Sequence, residues 1–242
     1  MDELEAFLGY AARFDENDNR VHLKIVHTLG VLGNIRAICA MEHIPANIAA
    51  AAEKTAVFHD VGRFEQLRRY NTFFDARSVD HAMLSADITE QMGWLDDDEF
   101  KGEIIEAIRR HNRLDDRPKD ETAALLYDLV RDADKLDILR VFACDDVHDV
   151  TGSTEEEARK SMVSPAVKND VLSGRCVDKR HRSSPIDIWM TYLGFLNDFH
   201  FESSKTICLK TGFWKKRIDE GEFADESVRE LAAFLEKSIK SE

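Results

Sequence analysis

Histidines and aspartates recur on the apolar faces of helices predicted in the first 146 residues of this chain. His27 lies on one such face, His59 and Asp60 end an alanine-rich stretch, and Asp134 lies on the apolar face of a long helix. A buried charge without a partner is very costly. Because imidazoles and carboxylates in one interior are compensated most simply by a shared cation, the pattern predicts a metal site.

Two further histidines fit the same pattern. His81 opens a stripe with Leu84 and Ile88, and His111 follows Ile108 on one face of another predicted helix. Taken singly, each histidine is more often a hydrogen-bonded core residue than a metal ligand. Asp134 could likewise pair locally with a basic neighbour. The joint pattern, rather than any one residue, favours the metal site.

Ligands of this kind, nitrogen and oxygen without thiolate, suit one or two divalent ions of Mn, Fe, Mg, Co, Ni or Zn. Such ions lower the pKa of bound water and bind phosphoryl oxygens. Basic residues near the ligands could bind a phosphate or carboxylate. The candidates are Arg63, Arg68, Arg69, Arg77 and Lys135. The alternative for the arginines is a solvated surface patch that pairs with neighbouring acids.

The composition of the chain limits which classes of substrate and metal site are compatible with it. The chain has 242 residues, of which 43% are hydrophobic, and its net charge of −14 would repel a long nucleic acid. A small phosphorylated substrate remains compatible, because one pocket can reverse the sign of the charge locally. The four cysteines form no CxxC pair, so a zinc ribbon or a disulfide framework is not expected. The oligomeric state is left open.

The N-terminus predicts a cytoplasmic protein. Its first residues, MDELEAFLGY, are acidic and lack the basic segment of a signal peptide. No stretch approaches the roughly 18 to 20 apolar residues of a membrane span, so no membrane partner is expected.

The hydrophobic periodicity is helical almost throughout, without a sustained alternation typical of strands. The fold class predicted is all-α, as one domain over 1–242 with a metal-binding core at 20–146 and a helical extension, 147–242, packed on that core. Pro45 and Gly62 are expected to begin and end the helix before the His59–Asp60 pair. Helices are predicted at 3–14, 20–42, 46–61, 80–92, 97–111, 120–146, 185–202 and 224–240. An irregular or briefly helical segment is expected at 63–78 and a loop at 173–185.

The local sequences around these ligands resemble a known family. "KIVHT" surrounds His27, "FHDVGRF" surrounds His59 and Asp60, and "DADKLD" contains Asp134. In this order they resemble the HD superfamily of metal-dependent phosphohydrolases, over residues 20 to 146. The resemblance implies an HD-domain-like helical bundle that hydrolyses a phosphate ester of a nucleotide or another small phosphorylated metabolite.

The resemblance also implies roles for individual residues. His27, His59, Asp60 and Asp134 correspond to the four ligands of a first ion. His81 and His111 stand where binuclear branches place two more histidines, and Asp60 would then bridge both ions. Lys135 resembles the family's phosphate-facing lysine, and Arg63 is a second candidate for catalysis.

The sequence bears on three other functions known or expected in this superfamily. The cyclic-dinucleotide phosphodiesterases of this superfamily carry a Gly-Tyr-Pro signature, which this chain lacks. Mixed-valent di-iron oxygenases of the superfamily use the same six-ligand order, so that activity is not excluded. A non-catalytic nucleotide-binding module is the third possibility, although degenerate members usually lose ligands that are kept here.

Overall fold

The computed structural model describes residues 2–240, and 70% of these residues are helical. No strand occurs within those residues, so the all-α prediction is confirmed. The chain divides into two compact units, Met1–Asp134 and Lys135–Glu242. The division falls at Asp134, before the boundary expected at 146, and the single-domain arrangement stays a prediction.

The first unit contains six helices and the start of a seventh. These are α1 (Glu3–Ala11), α2 (Asn19–Met41), α3 (Ala46–Phe58), α4 (Gly62–Tyr70), α5 (His81–Gln91), α6 (Lys101–Arg110) and α7 (Glu121–Cys144). Helix α2 packs on α3, α5 packs on α6, and α4 packs on α5. Phe58, Phe64, Ile104 and Ile108 are among the fully buried side chains between them. The apolar faces of these helices thus pack against one another, and the polar residues on those faces point into the interior of the unit.

Gly62 has a different role from the one predicted. It begins α4 rather than ending α3, which stops at Phe58, and α4 occupies the first half of the segment 63–78 that was expected to be irregular or briefly helical. A Cβ at Gly62 would lie 2.6 Å from the Ser85 backbone nitrogen and 2.8 Å from the His81 carbonyl oxygen. The glycine therefore permits the close approach of α4 to α5, the helix that begins with His81.

The second unit contains the rest of α7 and several short helices. They are α8 (Val147–Thr151), α9 (Glu155–Lys160), α10 (Pro165–Leu172), α11 (Pro185–Leu193), α12 (Glu202–Thr211), α13 (Lys216–Asp219) and α14 (Ser227–Lys240), with 3-10 turns between some of them. Thr154 and Glu157 form a capping box at the start of α9. The helix expected at 185–202 ends at Leu193, and a 3-10 turn follows it.

Helix α2 is long and apolar enough, by length and composition alone, to cross a membrane. No such stretch was expected from the sequence. One face of α2 is buried in the first unit and carries Val31, Ile35 and Ile38, and the helix packs on α3. Core helices of this kind pass the same test, so the finding is weak evidence for a span.

Candidate metal centre

Six polar side chains of the first unit converge from five helices or helix ends. His27 lies in α2, His59 caps the C-terminus of α3 and Asp60 follows it. His81 opens α5, His111 caps the C-terminus of α6, and Asp134 lies in α7. Their ligand atoms form three overlapping groups, and within each group all atoms lie within 4.8 Å of one another. The structure therefore brings together all six predicted metal ligands.

Asp60 stands between two sets of imidazoles. Its Oδ2 lies 3.7 Å from Nε2 of His27 and 3.9 Å from Nε2 of His59. Its Oδ1 lies 3.5 Å from Nε2 of His81 and 3.9 Å from Nε2 of His111. Each carboxylate oxygen thus faces a different pair of histidines, which is the arrangement a bridging ligand needs.

Asp134 completes the His27 and His59 side. Its Oδ1 lies 3.0 Å from Nε2 of His27 and 3.8 Å from Nε2 of His59. We call these two histidines with Asp60 and Asp134 the first side, and His81 and His111 with Asp60 the second side. The first side offers two nitrogens and two carboxylates, whereas the second offers two nitrogens and one carboxylate.

The other ring nitrogens fix how these histidines are protonated. Nδ1 of His59 lies 2.7 Å from the carbonyl oxygen of Ala56, and Nδ1 of His111 lies 2.7 Å from that of Ile108. A carbonyl only accepts, so each imidazole donates from Nδ1, and in its neutral form it keeps a lone pair on Nε2. In both histidines, Nδ1 is therefore hydrogen-bonded to a backbone carbonyl about one turn earlier in the same helix.

The donor atoms fit a cation. Nε2 of His59 is buried and has no hydrogen-bond partner among the described residues. Nδ1 of His81 bonds to the carboxylate of Asp75 at 2.6 Å, so its Nε2 also presents a lone pair. That Nε2 lies only 3.3 Å from Nε2 of His111. Two buried lone pairs facing each other beside a carboxylate are compensated by a shared cation, and the nitrogen and oxygen donors suit a divalent metal.

Electrostatics keep the site in its ligating form. Burial acts to raise the pKa of Asp60, but the charges of Lys24 and Arg63 hold it well below its usual value. Burial acts to raise the pKa of Asp134, but in the metal-free protein hydrogen bonding to His27 and His59 holds it well below its usual value. At neutral pH both carboxylates are therefore ionised.

The second-side histidines are neutral at the same pH. Burial lowers the pKa of His111 to about 3, and the neighbouring His81 and His59 act in the same direction. Burial and the nearby Arg63 lower the pKa of His81, although its bond to Asp75 opposes them. Neutral imidazole is the form that binds metal.

Two residues at the site were not predicted from the sequence. Nζ of Lys24 lies 2.7 Å from Oδ2 of Asp60, and Asp75 holds His81. Lys24 precedes His27 by three residues, so helical spacing alone could have placed both on one face. Asp75 lies in a short 3-10 turn between α4 and α5, and no periodic pattern marks it.

The predicted substrate-binding arginines have other contacts. The Arg63 guanidinium donates to Gln66, to the carbonyl of Phe73 and to Asp75, and its Nε lies 3.5 Å from Oδ1 of Asp60. Arg63 is therefore beside the cluster, but it is used to hold neighbouring protein groups.

Arg68 and Arg69 both pair with Glu65, and their side chains are more than half exposed. The guanidinium of Arg77 lies over the ring of Phe74. None of the contacts described for these three arginines reaches the six ligands. Their assignment to substrate binding stays a prediction.

Two acidic neighbours of Asp134 are buried. Asp132 is 1% exposed. Asp137 is 2% exposed and accepts hydrogen bonds from Arg140 at 2.7 and 2.9 Å. Lys135 belongs to the second unit, where its ammonium lies 2.7 Å from the Asp198 carboxylate. Its role at a phosphate stays a prediction.

Comparison with known families supports the identity of this cluster. Residues 25–139 match the family model of the HD domain, and the match contains all six ligand candidates. Neither the curated proteins nor the solved structures contain a match to the chain.

Proposed function

We propose that this chain, which is an HD-domain protein of the HD superfamily, is a metal-dependent phosphohydrolase acting on a small phosphorylated substrate. HD domains bind divalent metals and are typical of metal-dependent phosphohydrolases. The proposal goes further in naming the reaction, the phosphate ester as substrate and the residues that take part.

One observation carries the proposal: the two oxygens of Asp60 face two different pairs of histidines. In the proposed centre, His27, His59, Asp60 and Asp134 hold one divalent ion, and His81, His111 and Asp60 hold another. Bound there, such ions supply Lewis acidity and a water whose pKa is lowered far enough to attack a phosphoryl group near neutral pH. The protein contributes ionised carboxylates and imidazoles whose orientations are fixed in advance.

Lys24 is the residue we propose to contact the phosphoryl group. Its side chain is 13% exposed, and its ammonium lies beside the Asp60 oxygen of the first side. A cation aimed at the reacting oxygens stabilises the charge that develops on them. Lys135 and Arg63 remain candidates for the same task, Lys135 through the family resemblance and Arg63 through its position next to Asp60.

The substrate class follows from charge. With a net charge of −14, the chain is poorly suited to a long polyanion, whereas one phosphorylated metabolite or nucleotide needs only a local cluster of cations. A nucleotide is one such substrate, and its phosphate ester is the group that the proposed metal centre would bind.

The experiment is a phosphate-release screen on purified full-length protein. The protein is freed of metal with a chelator and then assayed with nucleotides and non-nucleotide phosphate esters, with and without added Mn²⁺. We expect release that requires the metal for at least one ester. Absence of metal-dependent release from every ester, in protein that binds the metal, would contradict the proposal.

The same six side chains also support a second candidate, a di-iron oxygenase. Elemental analysis of protein purified without a chelator separates the two. Two irons per chain with oxygen consumption would favour the oxygenase, whereas metal-dependent phosphate release without oxygen consumption favours the hydrolase. A metal-free protein that binds a nucleotide without converting it would indicate a binding module instead.

A further inference from the structure

Asp75 connects His81 to the rest of the first unit without being one of the six ligand candidates. Its Oδ2 lies 2.6 Å from Nδ1 of His81. Its Oδ1 accepts hydrogen bonds from Arg63 at 3.1 Å and from Nε2 of Gln66 at 2.9 Å. Both carboxylate oxygens are therefore engaged, and the ring of His81 is attached to a fixed group.

The carboxylate is itself held in place. Gln66 is fully buried and also donates to Ser78 and to the carbonyl of Val79, which ties the loop to α4. Burial acts to raise the pKa of Asp75, but His81 and Arg63 hold it below its usual range. Asp75 is thus an ionised acceptor whose position is set by α4.

His81 differs in this respect from His59 and His111. Those two histidines bond to backbone carbonyls of their own helices, which any helix end provides. His81 depends on a side chain, and on a charged one. A carboxylate bonded to the far nitrogen fixes the tautomer and makes the ligating nitrogen more basic.

We propose that Asp75 is a positioning residue for His81 and that it determines how tightly the second side holds its ion. The inference rests on the proposed metal centre, but it concerns metal affinity rather than hydrolysis. Arg63 also takes part, because it connects Asp75 to Asp60. Its guanidinium donates a hydrogen bond to the Asp75 carboxylate, and its Nε lies 3.5 Å from Oδ1 of Asp60.

The test replaces Asp75 with asparagine, which keeps the shape and removes the charge. The introduced amide can turn either its oxygen or its nitrogen to the imidazole, so the tautomer of His81 is no longer fixed. Loss of such a partner costs about 10- to 100-fold in metal affinity. Asp75 makes no described hydrogen bond to His27, His59 or Asp134, so the affinity of the first side should stay close to its wild-type value.

Metal-free wild-type protein and the variant are titrated calorimetrically with Mn²⁺, and metal content is measured after dialysis against a fixed Mn²⁺ concentration. We expect two ions per chain for the wild type and a selective loss of one in Asp75→Asn. Asp96→Asn is the matched control, because Asp96 is an exposed carboxylate that pairs with Lys101. It should bind Mn²⁺ as the wild type does.

A double-mutant cycle with His81→Ala shows whether Asp75 acts through His81. If it does, Asp75→Asn adds no further loss of affinity once His81 is gone. Equal weakening of both sides, an additive loss in the double variant, unchanged binding in Asp75→Asn, or a single ion in the wild type would each overturn the inference. Circular dichroism checks the fold, and Asp75→Ser provides a second replacement if asparagine disturbs the loop.

The outcome is independent of the reaction. Two-ion binding that responds to Asp75 in a protein that releases no phosphate would refute the proposed function and leave this inference standing. Phosphate release by a protein that holds only one ion would support the proposed function and refute this inference.

Discussion

Lys24 Nζ lies 2.7 Å from Oδ2 of Asp60, the carboxylate oxygen that faces His27 and His59. A protein cation therefore contacts the same oxygen that the proposed first-side ion would bind. The side chains of both residues are largely buried, at 13% and 5% exposed, so solvent screens their charges only partly. Lys24 neutralises Asp60 in the absence of metal, and it repels a divalent ion placed beside it.

Replacing Lys24 with methionine should therefore strengthen the binding of Mn²⁺ and weaken the reaction with the phosphate ester. We expect Mn²⁺ to bind about tenfold more tightly, which corresponds to about 1.4 kcal/mol, because the repulsion is gone. The kcat/KM for a phosphate ester should fall by about 10- to 100-fold, the usual loss for a hydrogen bond to a charged group. Calorimetry and steady-state kinetics measure the two quantities.

Lys54→Met is the matched control. Lys54 is also partly buried and pairs with Asp98, but it has no described contact with the six ligands. Both quantities should stay at their wild-type values in this variant. If Lys24→Met weakened the binding of Mn²⁺ or left kcat/KM unchanged, the role given to Lys24 would be wrong.

Gly62→Ala should loosen the second side of the site. The added Cβ would meet backbone atoms of Ser85 and His81 at 2.6 and 2.8 Å, and backbone atoms cannot move aside as a flexible side chain does. We expect a loss of about 1 to 3 kcal/mol in the free energy of unfolding, as for other overpacked sites, together with weaker binding of the second ion. Urea unfolding and Mn²⁺ titration measure these effects.

Gly33→Ala provides the comparison for Gly62. Gly33 is exposed in α2, and nothing lies within 4 Å of the Cβ that it lacks. Alanine there should raise the free energy of unfolding by about 0.5 to 1 kcal/mol. Equal stability changes in the two variants would contradict the steric role of Gly62.

The metal-free protein should lose stability on acidification. The pKa of His111 is about 3 in the folded protein, against 6.5 in a model peptide, so the unfolded chain binds a proton over this range that the folded chain does not. The free energy of unfolding therefore falls as the pH drops from about 6.5 towards 3. The lowered pKa values of Asp60 and Asp134 act in the same direction below about pH 4.

Urea midpoints between about pH 7.5 and 4.5 measure this slope, with His111→Gln as the comparison. Glutamine cannot take up the proton, so the slope should be shallower in the variant. Identical slopes, or a wild type that gains stability on acidification, would contradict the assignment of His111 as a buried neutral imidazole.

The sequence was sufficient for the all-α fold class and for the six residues that converge. Helical periodicity placed His27, His81 and Asp134 on inward faces, and those faces are buried because the helices pack on one another. The HD-domain match to residues 25–139 agrees with the family that the motifs suggested.

The sequence could not give the contacts that cross between helices. Glu65 is 4% exposed and binds both Arg68 and Arg69, so two apparent phosphate ligands have a local acid as partner. Asp75 stands in a short turn whose position is set by Gln66 and Arg63. Gly62 looked like a helix terminator, because its steric role depends on Ser85, which is 23 residues away.

The short helices of the second unit were missed for a similar reason. Segments of four to six residues, such as α8, α9 and α13, are too short for a helical period to stand out. Their formation depends on packing within the unit, which periodicity does not report.

The central claim is that Asp60 holds metal for phosphate hydrolysis, and Asp60→Asn tests it most directly. The measurement is the rate of phosphate release by the variant and by the wild type, from the best ester of the screen, at saturating Mn²⁺. Because asparagine keeps the shape but removes the bridging charge, we predict a rate at least about a thousandfold lower in the folded variant. A variant that hydrolyses the ester at the wild-type rate would contradict the account.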